Sequence, residues 1–177
     1  MLDKNMLKEF KIFSAAEEDA LAAVAQFAEE IGCKAGDTLY RAGDVSDRIY
    51  AVLEGDVELH LTFEEKILKP AIKYEEIDES RFEFLRRPIQ VAVAGRGAVF
   101  GWSALLESRQ RTLTASCRND CRLVALSGDR LKTLFENEPR LGYTVMHQLC
   151  NLVYTHLEKR TAKLIEAWGQ AFGTDSI

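Results

Sequence analysis

The residues best suited to do chemistry lie between Gly95 and Ala115, in the stretch GRGAVFGWSALLESRQRTLTA. Gly101 lets backbone approach a ligand closely, and Trp102, Ser103 and Ala104 after it read as the opening of a short helix. The first amides of a helix are unpaired and sit at the positive end of its dipole, which suits an anion such as a phosphodiester. The remaining negative charge calls for a cation, preferably a planar guanidinium that grips two oxygens together. Arg111 follows Gly101 by ten residues at the start of a strand candidate, and Thr112 beside it offers a hydroxyl. An arginine before a strand is usually solvated. Its conjunction with the glycine, the short helix and the strands upstream is what makes it a candidate.

Other chemistry finds less support. Cys33, Cys117, Cys121 and Cys150 include one x3-spaced pair, but no Cys or His at comparable spacing completes a four-ligand metal set. They read as small buried hydrophobes in a reducing compartment. His60, His147 and His156 are too scattered to define a site. Gly101-Trp102-Ser103-Ala104-Leu105 has a leucine where a nucleophile elbow needs its second glycine. No spacing pairs a carboxylate with a histidine, so the chain is expected not to be an enzyme.

The elements that position the candidate residues follow from composition and periodicity. The chain has 177 residues, 47% hydrophobic and 29% charged, which suits one globular domain over 1–177 and excludes wholesale disorder. Its 23 Lys+Arg against 28 Asp+Glu leave a net charge of −5, without the basic face that nucleic acid requires. No apolar run approaches the ~20 residues of a membrane span, and the N-terminus lacks the apolar stretch of a signal peptide. A cytoplasmic protein is expected.

Residues 14–31 predict an amphipathic helix, with Ser14 and Glu17 as a capping box and Gly32 as its stop. From 34 to 126 the pattern changes to short strands cut by Gly-Asp pairs at Gly36, Gly43 and Gly55. Strands are expected at 38–41, 48–53, 57–61, 89–94, 112–117 and 122–126, which favours an antiparallel sandwich or a jelly-roll barrel. The charged stretch 63–88 reads as a solvated excursion between strands, with a partner-docking flap as the sharper alternative. A short helix is expected over 127–137. Pro139 then starts a long one, about 139–168, whose apolar stripe either packs on its own domain or forms a dimer seam.

Taken together, the order of these parts resembles the cyclic nucleotide-binding domain of catabolite activator proteins, cyclic AMP-dependent kinase regulatory subunits and cyclic nucleotide-gated channels. The elements that carry the resemblance are Gly36-Asp37, Gly43-Asp44, Asp47-Arg48-Ile49-Tyr50 running into Val52-Leu53-Glu54-Gly55, Phe100-Gly101, and Arg111-Thr112. They fall within about residues 10–165. The resemblance implies a mostly β fold with flanking helices: a double-stranded β-helix, or jelly-roll, barrel with an N-terminal helix and a long C-terminal one.

It also implies ligand contacts. Amides around Ser103 and Ala104, with Gly101, would meet a cyclic phosphate, Arg111 would pair with its exocyclic oxygen, and Thr112 would add a hydrogen bond. The C-terminal helix would lie near the base, with His156 as a contact there. One departure matters: the family's cassette reads FGE, and Trp102 stands where that carboxylate accepts the ribose 2′-hydroxyl. An indole donates but does not accept in that way. Losing a charge-assisted hydrogen bond costs roughly 1.5–3 kcal/mol, so the phosphate half of the site is kept and the sugar half is not.

The chain ends about ten residues after Trp168, too soon for a DNA-recognition module, so direct DNA binding is not expected. The reading that follows is a stand-alone, non-catalytic sensor. It takes cAMP, cGMP or another small phosphate-containing ligand, needs no cofactor, and signals through its C-terminal helix to a protein partner or a second copy. The alternative is a protein whose pocket is vestigial and whose helix dimerises.

Overall fold

The computed structural model describes residues 3–69 and 81–173. It divides into a β unit, Glu29–Asp129, and a helical unit that joins the N-terminal residues through Ala28 to the chain from Arg130 onward.

The strands are β1 Ala28–Cys33, β2 Thr38–Tyr40, β3 Arg48–Glu54, β4 Val57–Lys69, β5 Arg81–Ala94, β6 Val99–Phe100, β7 Thr114–Cys117 and β8 Cys121–Ser127. They form two four-stranded sheets, ordered β1-β8-β3-β6 and β2-β7-β4-β5. The registers of β3 with β6 and β8, and of β7 with β2 and β4, are antiparallel. Inward side chains of both sheets, among them Tyr50, Val52, Val57, Leu59, Phe100, Ala115, Leu123 and Ala125, make one buried core. The mostly β fold with flanking helices is as expected, and the two sheets are not closed into a barrel: among the described residues no ladder passes from one sheet to the other.

The Gly-Asp pairs do turn the chain, with positive φ at Gly36, Gly43 and Gly55. The turn at Gly43 also reaches the candidate site. Its N–H donates to the carbonyl of Arg111 at 2.8 Å, while the Asp44 carbonyl accepts from the Arg111 N–H at 2.9 Å. An L side chain is strained at φ +91°, so glycine holds this clasp.

Two expectations about local structure fail. The helix expected over 14–31 is in fact α2, Glu18–Ala25, capped at Glu17, followed by β1. Ser14 ends a 3-10 turn over Lys11–Phe13, its hydroxyl donating to the Lys11 carbonyl instead of capping a helix. Gly32 lies inside β1, where Glu29 and Glu30 face outward to pair with Arg48 and Arg122. The excursion over 63–88 is largely strand: β4 and β5 pair from Val57↔Ala94 out to Lys69↔Arg81. The charges that made it read as a loop line this ribbon as cross-strand pairs, Glu64 with Arg86 and Glu65 with Arg87. Only 70–80 of that stretch lies outside the described residues.

In the helical unit α1 is Lys4–Lys8, α3 Gly128–Asn137 and α4 Pro139–Phe172, with Pro139 in the first turn as expected and the helix running four residues past 168. Leu141, Val145 and Leu149 of α4 are buried, whereas Leu157, Leu164, Ile165, Trp168 and Phe172 are exposed. Among the described residues no helix is long and apolar enough to cross a membrane.

Candidate functional site

The candidate site lies in the β unit, where the strand ends of β2, β3 and β6 meet the loop that leads into β7. Gly101 follows β6 with φ +78° and caps a 3-10 turn, Trp102–Leu105. A Cβ on Gly101 would stand 2.6 Å from Nη1 of Arg111 and 3.2 Å from the Arg48 carbonyl. Glycine is therefore needed twice here, for its backbone angle and for the room it leaves the guanidinium. The structure brings Gly101 and Arg111 together, as the spacing predicts.

Arg111 is 3% exposed. Its Nη1 donates to the Gly101 carbonyl at 2.9 Å and its Nη2 to the Arg48 carbonyl at 2.7 Å. The ring of Tyr40 covers the guanidinium 4.0 Å from its carbon, with the Tyr50 ring farther off at 5.7 Å. Nε is buried without a hydrogen-bond partner. Among the described residues the nearest carboxylate oxygen is Oδ1 of Asp47, 3.9 Å from Nη2, on a side chain that is 69% exposed. Burying an ion costs several kcal/mol. Two charge-assisted hydrogen bonds at roughly 1.5–3 kcal/mol each and a desolvated cation–π contact near ~2 kcal/mol offset part of it. Burial accordingly pulls the guanidinium below its ordinary value, with Tyr40, Tyr50, Asp47 and Asp44 opposing.

The aromatic wall supplies rings and no charge. Burial pushes the Tyr40 phenol up to about 12 and raises Tyr50 as well, against the attraction of Arg111. Tyr50 stacks on Phe100 at 5.4 Å, which joins the wall to β6. Sequence reasoning missed Tyr40, Asp47 and the Arg48 carbonyl as neighbours of Arg111. Inward alternation in a strand could have marked Tyr40, but nothing in its type says that it lies over a cation.

The other expected contacts are distributed differently. The Ala104 amide donates to the Gly101 carbonyl at 3.3 Å, so the turn itself uses one of the expected anion-binding amides. Ala104 is buried against Gly128, where a Cβ would meet its carbonyl oxygen at 2.6 Å. The Ser103 hydroxyl donates to the Ser46 hydroxyl at 2.9 Å, and Ser46 is fully buried. Trp102 is half-buried and Thr112 is exposed. His156 is half-buried on α4, in the helical unit; burial, then Arg160 and Lys159, lower its pKa. Among the described residues no group of three His, Cys, Asp or Glu could hold a metal ion.

No family model matches the chain. Among curated proteins it is 23% identical over 174 residues to the CRP-like cAMP-activated global transcriptional regulator of Mycobacterium tuberculosis, covering 92% of this chain and 69% of that one. Among solved structures it resembles a cyclic nucleotide-binding domain from Methylobacillus flagellatus, with a TM-score of 0.68 and 16% identity over 92% of this chain and 80% of that one. It also resembles the regulatory domain of Toxoplasma gondii PKA, co-crystallised with cAMP, with a TM-score of 0.63 and 20% identity over 86% and 48%. The chain has the cyclic nucleotide-binding fold.

Proposed function

We propose that this chain is a regulatory module that binds a small phosphate-containing anion, of the cyclic nucleotide class, against Arg111. The observation that carries the reading is a guanidinium 3% exposed, with an unpartnered Nε and no carboxylate at hydrogen-bond distance among the described residues. An anion from outside would offset the cost of a buried cation in this condition. Gly101 and the Arg48 carbonyl hold the guanidinium fork, and Tyr40 closes one of its faces. Trp102 and Thr112, next in sequence to Gly101 and Arg111, are the proposed flanking contacts, and His156 is the proposed base contact. Because Trp102 replaces an acceptor for the sugar hydroxyl, affinity for cAMP and cGMP is expected to be weak. The module has no catalytic role in this reading: it passes ligand binding on through α4, whose exposed stripe from Leu157 to Phe172 offers a seam for a second copy or a protein partner.

Calorimetric titration with cAMP and cGMP tests the reading. Weak binding by the natural chain, strengthened about tenfold or more by Trp102→Glu, is expected. Heat from neither nucleotide with either protein would overturn it and favour the second reading, a vestigial pocket closed by the Tyr40 ring 4.0 Å from the guanidinium.

A further inference from the structure

Asp47 immediately precedes β3, and the chain at this point wraps one nitrogen of Arg111. The Arg48 carbonyl accepts from Nη2 at 2.7 Å, and Oδ1 of Asp47 lies 3.9 Å from the same nitrogen. The backbone beneath the carboxylate is held, since the Asp47 carbonyl accepts from the Gly128 N–H at 2.8 Å. The side chain itself stays in water, 69% exposed against 2% for Arg111.

A second cation stands on the other side of this carboxylate. Oδ2 is 3.8 Å from Nε of Arg48, whose Nη1 is already paired with Glu29 at 2.7 Å. Asp47 therefore lies between two guanidinium groups and reaches hydrogen-bond distance with neither. Among the described residues the hydrogen bonds of the Arg111 guanidinium go to two neutral carbonyls, and Nε has no partner. A carboxylate that balances a cation without closing on it is one that a phosphate oxygen can displace, with Arg48 left to receive it.

Given the anion site at Arg111, on which this rests, we propose that Asp47 sets the charge of the ligand. Its carboxylate is the counter-anion that the site carries, and it turns toward Arg48 when a phosphate binds. Tethered by its fixed backbone, it remains close enough to disfavour a second negative charge. The site therefore takes singly charged phosphodiesters and discriminates against phosphate monoesters, which carry about −1.5 to −2 near neutral pH. A like charge a few ångströms away weakens binding by about tenfold for each unit of ligand charge.

Calorimetric titration with cAMP and with 5′-AMP, a diester and a monoester of the same nucleoside, tests the assignment on the full chain. Asp47→Asn keeps the shape of the side chain and removes its charge. It is expected to bind cAMP about tenfold more tightly and 5′-AMP about a hundredfold more tightly, so that the preference for the diester falls about tenfold. Glu54→Gln makes the same change of net charge at the far end of β3, on a side chain that is also 69% exposed and pairs with Arg122. Both affinities should be unchanged in that variant. If cAMP binds and Asp47→Asn leaves the preference where it was, the role of Asp47 is overturned while the anion site stands. Weaker cAMP binding in Asp47→Asn, or an equal shift in Glu54→Gln, has the same consequence. Binding of neither nucleotide by any of the three proteins overturns the anion site and the role of Asp47 together.

Discussion

Arg109 and Arg111 flank Gln110 and meet opposite environments, and the contrast separates the rim of the β unit from its interior. Arg109 has a positive φ of 41° and a side chain 41% exposed, and it forks onto both carboxylate oxygens of Asp129. Similar exposed pairs join Arg48 to Glu29 and Arg122 to Glu30. Each rim cation has its counter-charge within the chain and stays in water, where such a pair contributes little. Arg111 is out of water, and its counter-charge, Asp47, stands 3.9 Å away, beyond hydrogen-bond distance. The arginine side chain is 2% exposed, its hydrogen-bond acceptors are neutral carbonyls, and Nε has no partner. The rim cations sit on carboxylates; the interior cation sits on carbonyls and a ring, with its carboxylate farther off.

Four substitutions would break or sharpen this contrast, taken from the largest expected effect to the smallest. Arg111→Ala should weaken cyclic nucleotide binding a hundredfold or more in calorimetry, since it removes the charge that faces the anion. Full affinity in that variant would place the site elsewhere. Gly101→Ala should lower the unfolding free energy by about 1–3 kcal/mol in denaturant melts, because a Cβ there meets Arg111 Nη1 at 2.6 Å from a backbone at φ +78°.

Tyr40→Phe should act only in alkali. The folded-state value, about 12, lies above the ordinary 10.0, so the tyrosine's contribution is intact below pH 10 and is lost as pH rises through 12. The natural chain should therefore lose stability over that window more steeply than the phenylalanine variant, as followed by chemical denaturation at stepped pH. Arg109→Ala should change stability by less than about 1 kcal/mol and leave nucleotide affinity alone, and added salt should shrink even that difference. A large effect at Arg109 would erase the distinction between rim and interior.

The parts of the fold that were legible depend on local rules. Positive φ at the Gly-Asp turns, the strand cores of β3 and β8, and Pro139 at the start of α4 follow from backbone sterics and apolar patterning. Where a local signal served two structures, it misled. Ser14 and Glu17 match a capping box, yet Ser14 bonds back to Lys11, and Ala28–Cys33 pairs into a sheet because β8 lies beside it. The charged stretch after Phe63 looked like a loop because its compensating charges sit on the opposite strand, about twenty residues away, as with Glu64 and Arg86. Pairing at that distance has no local signature.

From residue types and spacing alone came the Gly101–Arg111 partnership, the strand-rich middle and the long last helix, since each rests on near-neighbour chemistry. Only the tertiary structure decided how the strands divide between two sheets, that Tyr40 covers the guanidinium and that the amide of Ala104 is used within its own turn. Those features depend on which distant segments share a given space, and burial, unlike backbone preference, is a property of the whole packed chain.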